Sequence, residues 1–402
     1  MTIAVIRQAT FLASLLCSVG GAALADTELT FGAGLRLQSE SNPDLTPGGS
    51  AQSTTGGVDL SFGLISETAL STLSLQTSAR LLDVDGSGHV AWGLTDPALS
   101  LSYARTTANA KATLDAGLTD TDVAGGDVTN FDTGSGKRRT ATLSAGLAFG
   151  TAGPLGFGLT AGVTDIHYHD NPGPGLTDSR TARLGTTLRS DLSQVLHLNL
   201  GLNARRFDQD GKASRDTQGL DLGLTLDRPT GALSLRFTGD HTPDGQRLGL
   251  TFEHQMTLAA GTLTYSVGAT RGVSDKTYAT GAVSYAQDLA NGAISLALAR
   301  TVQPGAETDA ESVVSNSSLT YQRAMTPRAN LALALNWAEQ RNTATDLATA
   351  NTNLSATWTQ NVTEDWALDL GYTHRMRDQD GVGQGQSDLV FLAFRRSFTR
   401  RF

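Results

Sequence analysis

The chain reads as an all-β transmembrane protein, an antiparallel up-and-down β-barrel of about 20 strands. Three observations predict it: short segments in which apolar and small polar residues alternate, tight turns that recur between longer polar stretches, and a composition of 6% aromatic and 17% charged residues with 44 glycines. Successive side chains of a strand point to opposite faces, so alternation sorts residue types by face. Leu196, Leu198, Leu200 and Leu202 share one face, while His197, Asn199, Gly201 and Asn203 share the other. The same holds for Leu220, Leu222, Leu224 and Leu226 against Asp221, Gly223, Thr225 and Asp227, and for the leucines of 331–335 with Trp337. A soluble enzyme of this length would need an apolar core, whereas a barrel takes Gly, Ser, Thr and Asn at its inward positions. The mean hydropathy of −0.16 is no objection to membrane insertion, because in a barrel only alternate residues meet lipid.

The first residues predict export. Arg7 precedes an apolar run from Ala9 to Val19, and Ala23-Leu24-Ala25 has the small-x-small form of a signal-peptidase site. The run is shorter than the roughly 20 residues that span a bilayer. Residues 1–25 are therefore expected to be a cleaved signal peptide and residues 26–402 a single barrel domain. Cys17 follows Leu16, where a lipoprotein signal would want a small residue, so lipidation is not expected. Cleavage would remove the one cysteine and change the formal charge from −9 to −10. An acidic chain with scattered Lys and Arg has no footprint for nucleic acid.

Nine tight connections lie between alternating runs, near 66–68, 106–109, 150–154, 190–193, 227–231, 258–261, 288–292, 325–328 and 361–364. Longer polar stretches separate them: 38–56, 83–96, 119–137, 170–179, 208–216, 241–246, 272–276, 304–312, 342–346 and 378–387. Short turns on one side and long loops on the other is the asymmetry of outer-membrane barrels, the short side being periplasmic. Nine turns with a strand at each end give 20 strands. Pro97 interrupts the segment 92–105, and if it breaks that hairpin the count falls to 18, since Pro is confined to edges, strand starts or bulges. Tyr103, Phe149, Phe157, Phe252, Tyr265, Tyr285, Tyr321, Trp358, Trp366 and Phe398 all fall near the short turns, as an interfacial girdle would. The place implied is the outer membrane of a Gram-negative bacterium, with outer-membrane lipid and lipopolysaccharide around the barrel.

The final strand carries Ser387, Val390-Phe391-Leu392, Arg396 and Phe398, and Ser41-Asn42-Pro43 follows the first strand. These two patches resemble the closing strand and the Asn-Pro step of the β-barrel porin-2 family, a group of bacterial outer-membrane barrels with members at exopolysaccharide and exosortase-type loci. The resemblance implies a porin-like barrel and leans toward exopolysaccharide export. Phe398 and Phe402 are the two candidates for the terminal aromatic that the barrel assembly machinery reads.

Little in the chain points to bond-making chemistry. Asp83-Val84-Asp85-Gly86-Ser87-Gly88 begins like a calcium loop, but Leu94 stands where such a loop needs a bidentate Glu. A tight Asp/Gly turn is expected there. His167 and His169 share one side of a strand end, yet no third metal ligand is identifiable. The seven histidines lie beside no nucleophile in a Gly-x-Ser-x-Gly setting. No enzyme, cofactor or metal is expected.

The inward charges are more informative. Strand parity turns Arg36, Arg80, Arg183, Arg189, Arg205, Arg236 and Arg247 inward, together with Asp59, Asp115, Asp221, Glu253 and Asp369. An Arg or Lys facing lipid at the midplane costs about 2–4 kcal/mol, which supports this register. The residues would either line a polar conduit with a transverse field or brace the wall as ion pairs. Barrels of 16–18 strands leave an aqueous channel and 22-stranded transporters carry a plug, and no segment of this sequence is left over for a plug domain. The expected function is a passive, porin-like channel for small polar solutes or a polysaccharide, with loops 38–56 and 119–137 long enough to fold inward. The competing expectation is a non-conducting surface barrel whose loops bind a partner or envelope polymer. Mass spectrometry of the protein from isolated outer membranes should find a mature chain that starts at Asp26; retention of residues 1–25 would refute the export signal.

Overall fold

The computed structural model describes residues 26–85, 90–124, 128–173, 175–304 and 311–402, without the side chains of 82–94 and 304. Residues 1–25, expected to be the signal peptide and including Cys17, and the side chains of 82–94 fall outside the described residues. Twenty strands alternate with short connections: β1 Asp26–Ser41, β2 Gln52–Glu67, β3 Ser71–Asp85, β4 Val90–Thr106, β5 Ala110–Asp122, β6 Lys137–Phe149, β7 Leu155–His169, β8 Ser179–Asp191, β9 Leu196–Gln209 and β10 Arg215–Arg228. The second half continues with β11 Gly231–Thr242, β12 Gly245–Leu258, β13 Gly261–Arg271, β14 Thr277–Leu289, β15 Gly292–Pro304, β16 Glu311–Thr326, β17 Ala329–Asn342, β18 Ala348–Asn361, β19 Trp366–Gln379 and β20 Gly383–Arg401. Each strand pairs antiparallel with its neighbours in sequence, and β1 pairs with β20 from Glu28↔Arg401 to Glu40↔Leu389. The sheet is therefore a closed ring. Phe402 completes it, donating its N–H to the Thr27 carbonyl at 2.9 Å.

The alternating leucines lie on the outer face. Phe31 opposes Phe62 and Phe398 in the register, Leu200 opposes Leu222 and Leu188, and Leu35, Leu202 and Val267 are exposed. Buried apolar side chains are few among the described residues and do not form a central core; several, such as Leu45, Val123 and Tyr168, lie toward the ends that carry the longer loops. Near the short turns Trp366 stacks on Phe394 at 4.5 Å, and Arg396 lies over the rings of Trp366 and Phe398. An amphipathic pair of this kind suits the lipid headgroup level.

The nine short turns fall where the turn chemistry places them, and the fold class and strand number are as the alternation predicts. Pro97 does not break β4. Asp96 takes a left-handed φ of 50°, and the β3–β4 register shifts around Arg80, so that Pro97 falls between the pairs Arg80↔Thr95 and Ser78↔Ala98. A bulge absorbs the residue that cannot donate to the ladder. The opposite ends differ more from expectation. Strand pairing runs on into stretches that read as loops, leaving 42–51 between β1 and β2, 123–136 between β5 and β6, and only Pro243-Asp244 between β11 and β12. Each residue advances a strand about 2.5 Å along the axis of a tilted barrel, so strands of this length outrun an apolar band about 25 Å tall. Beyond that band polar residues continue the ladder without an apolar face. Placing Arg at Leu222, in the middle of the outer face, should destabilise the folded barrel by about 2–4 kcal/mol in urea titrations in lipid vesicles. The same change at Gly223, on the lumen face, should cost much less.

Candidate functional site: the lumen and its crossing loop

Twenty strands about 4.8 Å apart and tilted by about 40° would enclose a circular backbone cylinder of about 40 Å diameter. The loop 123–136 enters this space. Its neck is closed by the Val123 N–H bonded to the Gly136 carbonyl at 3.0 Å. Gly136 has φ of 103°, and a Cβ there would sit 2.9 Å from the His169 carbonyl oxygen, so the neck requires glycine. From the neck the chain reaches β18 and β19. Asn351 donates to the carbonyls of Val128 and Asn130 at 2.9 and 2.8 Å, Arg377 to the carbonyl of Asp132 at 2.8 Å, and Arg375 to that of Ala124 at 3.1 Å. Arg377 and Asn351 are also bonded to each other at 2.9 Å.

The Asp132 carboxylate faces the other way. It accepts the Tyr168 hydroxyl at 2.6 Å and lies 3.5 Å from Arg138 Nε. Tyr168 is the penultimate residue of β7, beyond the apolar band. Burial and the Asp132 carboxylate push its phenol above the ordinary value, so it stays protonated as the donor. One residue thus joins β7 to β19, eight strands away round the ring. Two side chains and one residue cannot bridge a circular section of about 40 Å, so the lumen is narrowed along this line. Arg375 also binds Glu40 and the Pro43 carbonyl, and Ser387, fully buried, donates to Glu40 at 2.8 Å. The 42–51 loop is held against β20 by Asn42, which donates to the Gln386 carbonyl at 2.9 Å.

The lumen-directed charges of the sequence reading fall into distinct settings. Asp59 pairs with Arg80 at 3.1 Å, and Arg236 with Asp221. Asp369 is buried and takes Arg395 at 2.7 Å and the Thr359 hydroxyl at 2.7 Å. Arg247 is buried between Asp240 at 3.3 Å and Glu311 at 3.1 Å. Arg189 lies at the short-turn end and donates to the Gly153 carbonyl at 2.7 Å, which makes it a clasp on the 150–154 turn. Arg36 lies 4.1 Å over the Phe391 ring, Asp115 accepts from Ser102 at 2.8 Å, and Glu253 stands between Ser234 and Ser266 in the register. Arg183 and Arg205 are register partners of each other. Phe398 and Phe402 are both exposed at the short-turn end of β20.

His167 binds Asp178, His169 binds Asp120 at 3.0 Å, and among the described residues no group of three His, Cys, Asp or Glu side chains converges. Sequence reasoning missed Glu40, Asp132, Tyr168, Asn351, Arg375 and Arg377. A signal existed for the two arginines, since 375 and 377 share the parity of Asp369 and flank the oppositely directed Met376.

A closed ring with a leucine outer face and a charged, loop-crossed interior has one architecture. The fold is that of an outer-membrane β-barrel. No family model matches the chain, and no curated protein matches it. Solved structures with a similar fold include the siderophore receptor PirA of Pseudomonas aeruginosa, at 11% identity over 92% of this chain and 80% of the other with a TM-score of 0.48. The iron transporter FrpB of Neisseria meningitidis matches at 11% identity over 96% and 83%, with a TM-score of 0.43. OccAB4 of Acinetobacter baumannii matches at 10% identity over 93% and 98%, with a TM-score of 0.38.

Replacing Arg377 by Ala in this barrel should remove charge-assisted bonds worth about 2–3 kcal/mol together. The expected readout is rapid cleavage of loop 123–136 by an added protease while the barrel itself stays intact. Cleavage at the wild-type rate would show that the tether does not hold the loop.

Proposed function

We propose that this barrel is a passive pore for polar molecules whose bore is set by loop 123–136. The observation that carries the reading is the pair of attachments on that loop, Tyr168 on one wall and Arg377 with Asn351 on the other. They position a constriction while the rest of the lumen face stays polar and rich in small residues. Thr160, Gly185, Thr187, Asn199, Gly201 and Asn203 line one such stretch of wall, in a recess of about 760 Å3. Hydroxyl and amide groups of this kind exchange hydrogen bonds with water or sugar hydroxyls without holding either tightly.

Small polar solutes are one class of cargo that such a bore accepts. An exopolysaccharide strand in transit to the cell surface is the other, and the likeness of the Ser387–Phe398 and Ser41–Pro43 patches to the β-barrel porin-2 family favours it. The two patches meet in the structure, where the Asp388 N–H donates to the Ser41 hydroxyl at 2.9 Å. No chemical step is assigned to the chain.

Planar-bilayer recording of the refolded barrel tests the reading. Discrete current steps are expected, and replacing residues 124–135 by a short Gly/Ser turn should enlarge each step several-fold. A barrel that is silent with and without the loop would overturn the pore and favour a role in surface binding.

A further inference from the structure

Two arginines stand side by side on the lumen wall with no acid to balance them. Arg183 on β8 and Arg205 on β9 are the only arginine–arginine pair in the registers of the described strands. They share the face of Gly185, Thr187 and Asn203, opposite Leu184 and Leu202. Register partners have Cα atoms about 5 Å apart, and like charges so placed destabilise a sheet. Several other lumen arginines come with a carboxylate, as Arg80 does with Asp59, Arg236 with Asp221 and Arg395 with Asp369, while Arg36 lies over the Phe391 ring and Arg377 is taken up by Asn351 and the Asp132 carbonyl. Among the described residues neither Arg183 nor Arg205 lies within ion-pair distance of an acid. The charged groups that act on Arg205 are themselves arginines, Arg183 and Arg247, and Arg247 already has Asp240 and Glu311.

Two further features suit a ligand. The Arg205 guanidinium lies 5.4 Å over the Phe207 ring, which fixes its plane, and its Nε is buried with no hydrogen-bond partner. Beside Arg183 the wall opens into a recess of about 240 Å3 lined by the hydroxyls of Thr142, Ser144, Thr160, Thr164 and Thr181. Gly162, the register partner of Arg183 on β7, adds no side chain to fill it.

We propose that Arg183 and Arg205 form an oxyanion-binding site that takes the carboxylate or phosphate group of a solute in the lumen. A guanidinium presents a planar fork of N–H donors that matches either group, and charge-assisted bonds of this type are the strong ones. Threonine and serine hydroxyls in the adjoining recess can donate to a third oxygen. The site deepens the pore reading and rests on it for the solute's access: it makes the preferred cargo anionic, an acidic sugar before a neutral one.

The test measures binding without current. Phosphorus NMR linewidths of inorganic phosphate are recorded with the folded barrel in detergent micelles, each variant being checked for heat-modifiable migration on gels. The wild type should broaden the resonance, Arg183→Gln/Arg205→Gln should weaken binding at least tenfold, and Arg300→Gln, the same charge change on the outer face, should leave it unchanged. If the double variant does not fold, Arg183→Gln alone, at the more exposed position, should still weaken it severalfold. Glucuronate should displace phosphate, and glucose should not. No broadening by the wild type, equal broadening by a folded Arg183 variant, or displacement by glucose would overturn the site. A barrel that binds phosphate but passes no current would instead overturn the pore.

Discussion

A bilayer offers no partner for a backbone N–H or C=O, and each one left open in hydrocarbon costs several kcal/mol. The rest of this structure depends on how that demand is met. Every strand is paired on both sides, and the β1–β20 ladder makes the set complete. Once the ladder holds the chain together, the interior need not. That releases the lumen face from packing and lets glycine, threonine and asparagine stand where a soluble domain of the same length would need leucine. Stability lies in the wall, and the interior is free of that task.

The wall then has to carry charge without being split by it. Several inward arginines lie beside a carboxylate on the neighbouring strand, as Arg80 beside Asp59, Arg236 beside Asp221 and Arg247 beside Asp240. Such cross-strand pairs keep the local field small and fix the register by charge as well as by the alternation of apolar residues. Arg377 departs from the pattern, being used on backbone carbonyls of the crossing loop and on Asn351, and Arg375 divides its donors between the Ala124 and Pro43 carbonyls and Glu40. A guanidinium suits that task because its donors can serve several carbonyls at once.

Much of the ring was legible in the sequence because its signals are local. A turn such as Asp227-Arg228-Pro229-Thr230-Gly231 declares itself within five residues, and the leucines of β10 declare their face within eight. Pro97 was harder, since a proline in a strand reads as a break until the left-handed Asp96 beside it shows a bulge. The loop ends were misjudged where strands leave the bilayer: without lipid on one side the alternation loses its contrast, and His241–Gln246 looks like a loop although all but Pro243-Asp244 is ladder. The tether of the crossing loop was not legible, because Asn351 and Arg377 are more than 200 residues from Asn130 and Asp132. Only the parity of Arg375 and Arg377 hinted at it.

A ring of strands resists stretching along its hydrogen bonds but is soft toward ovalisation, since each inter-strand angle needs to change only slightly for the whole section to flatten. Asp132, gripped by Tyr168 on one side and Arg377 on the other, is a chord across that section. A tie across a compliant hoop braces it, because flattening the section in the other direction would have to stretch or break the tie. The loop that narrows the barrel therefore also sets its cross-sectional stiffness, so the shape of the hole and the rigidity of the wall around it are specified by the same few contacts.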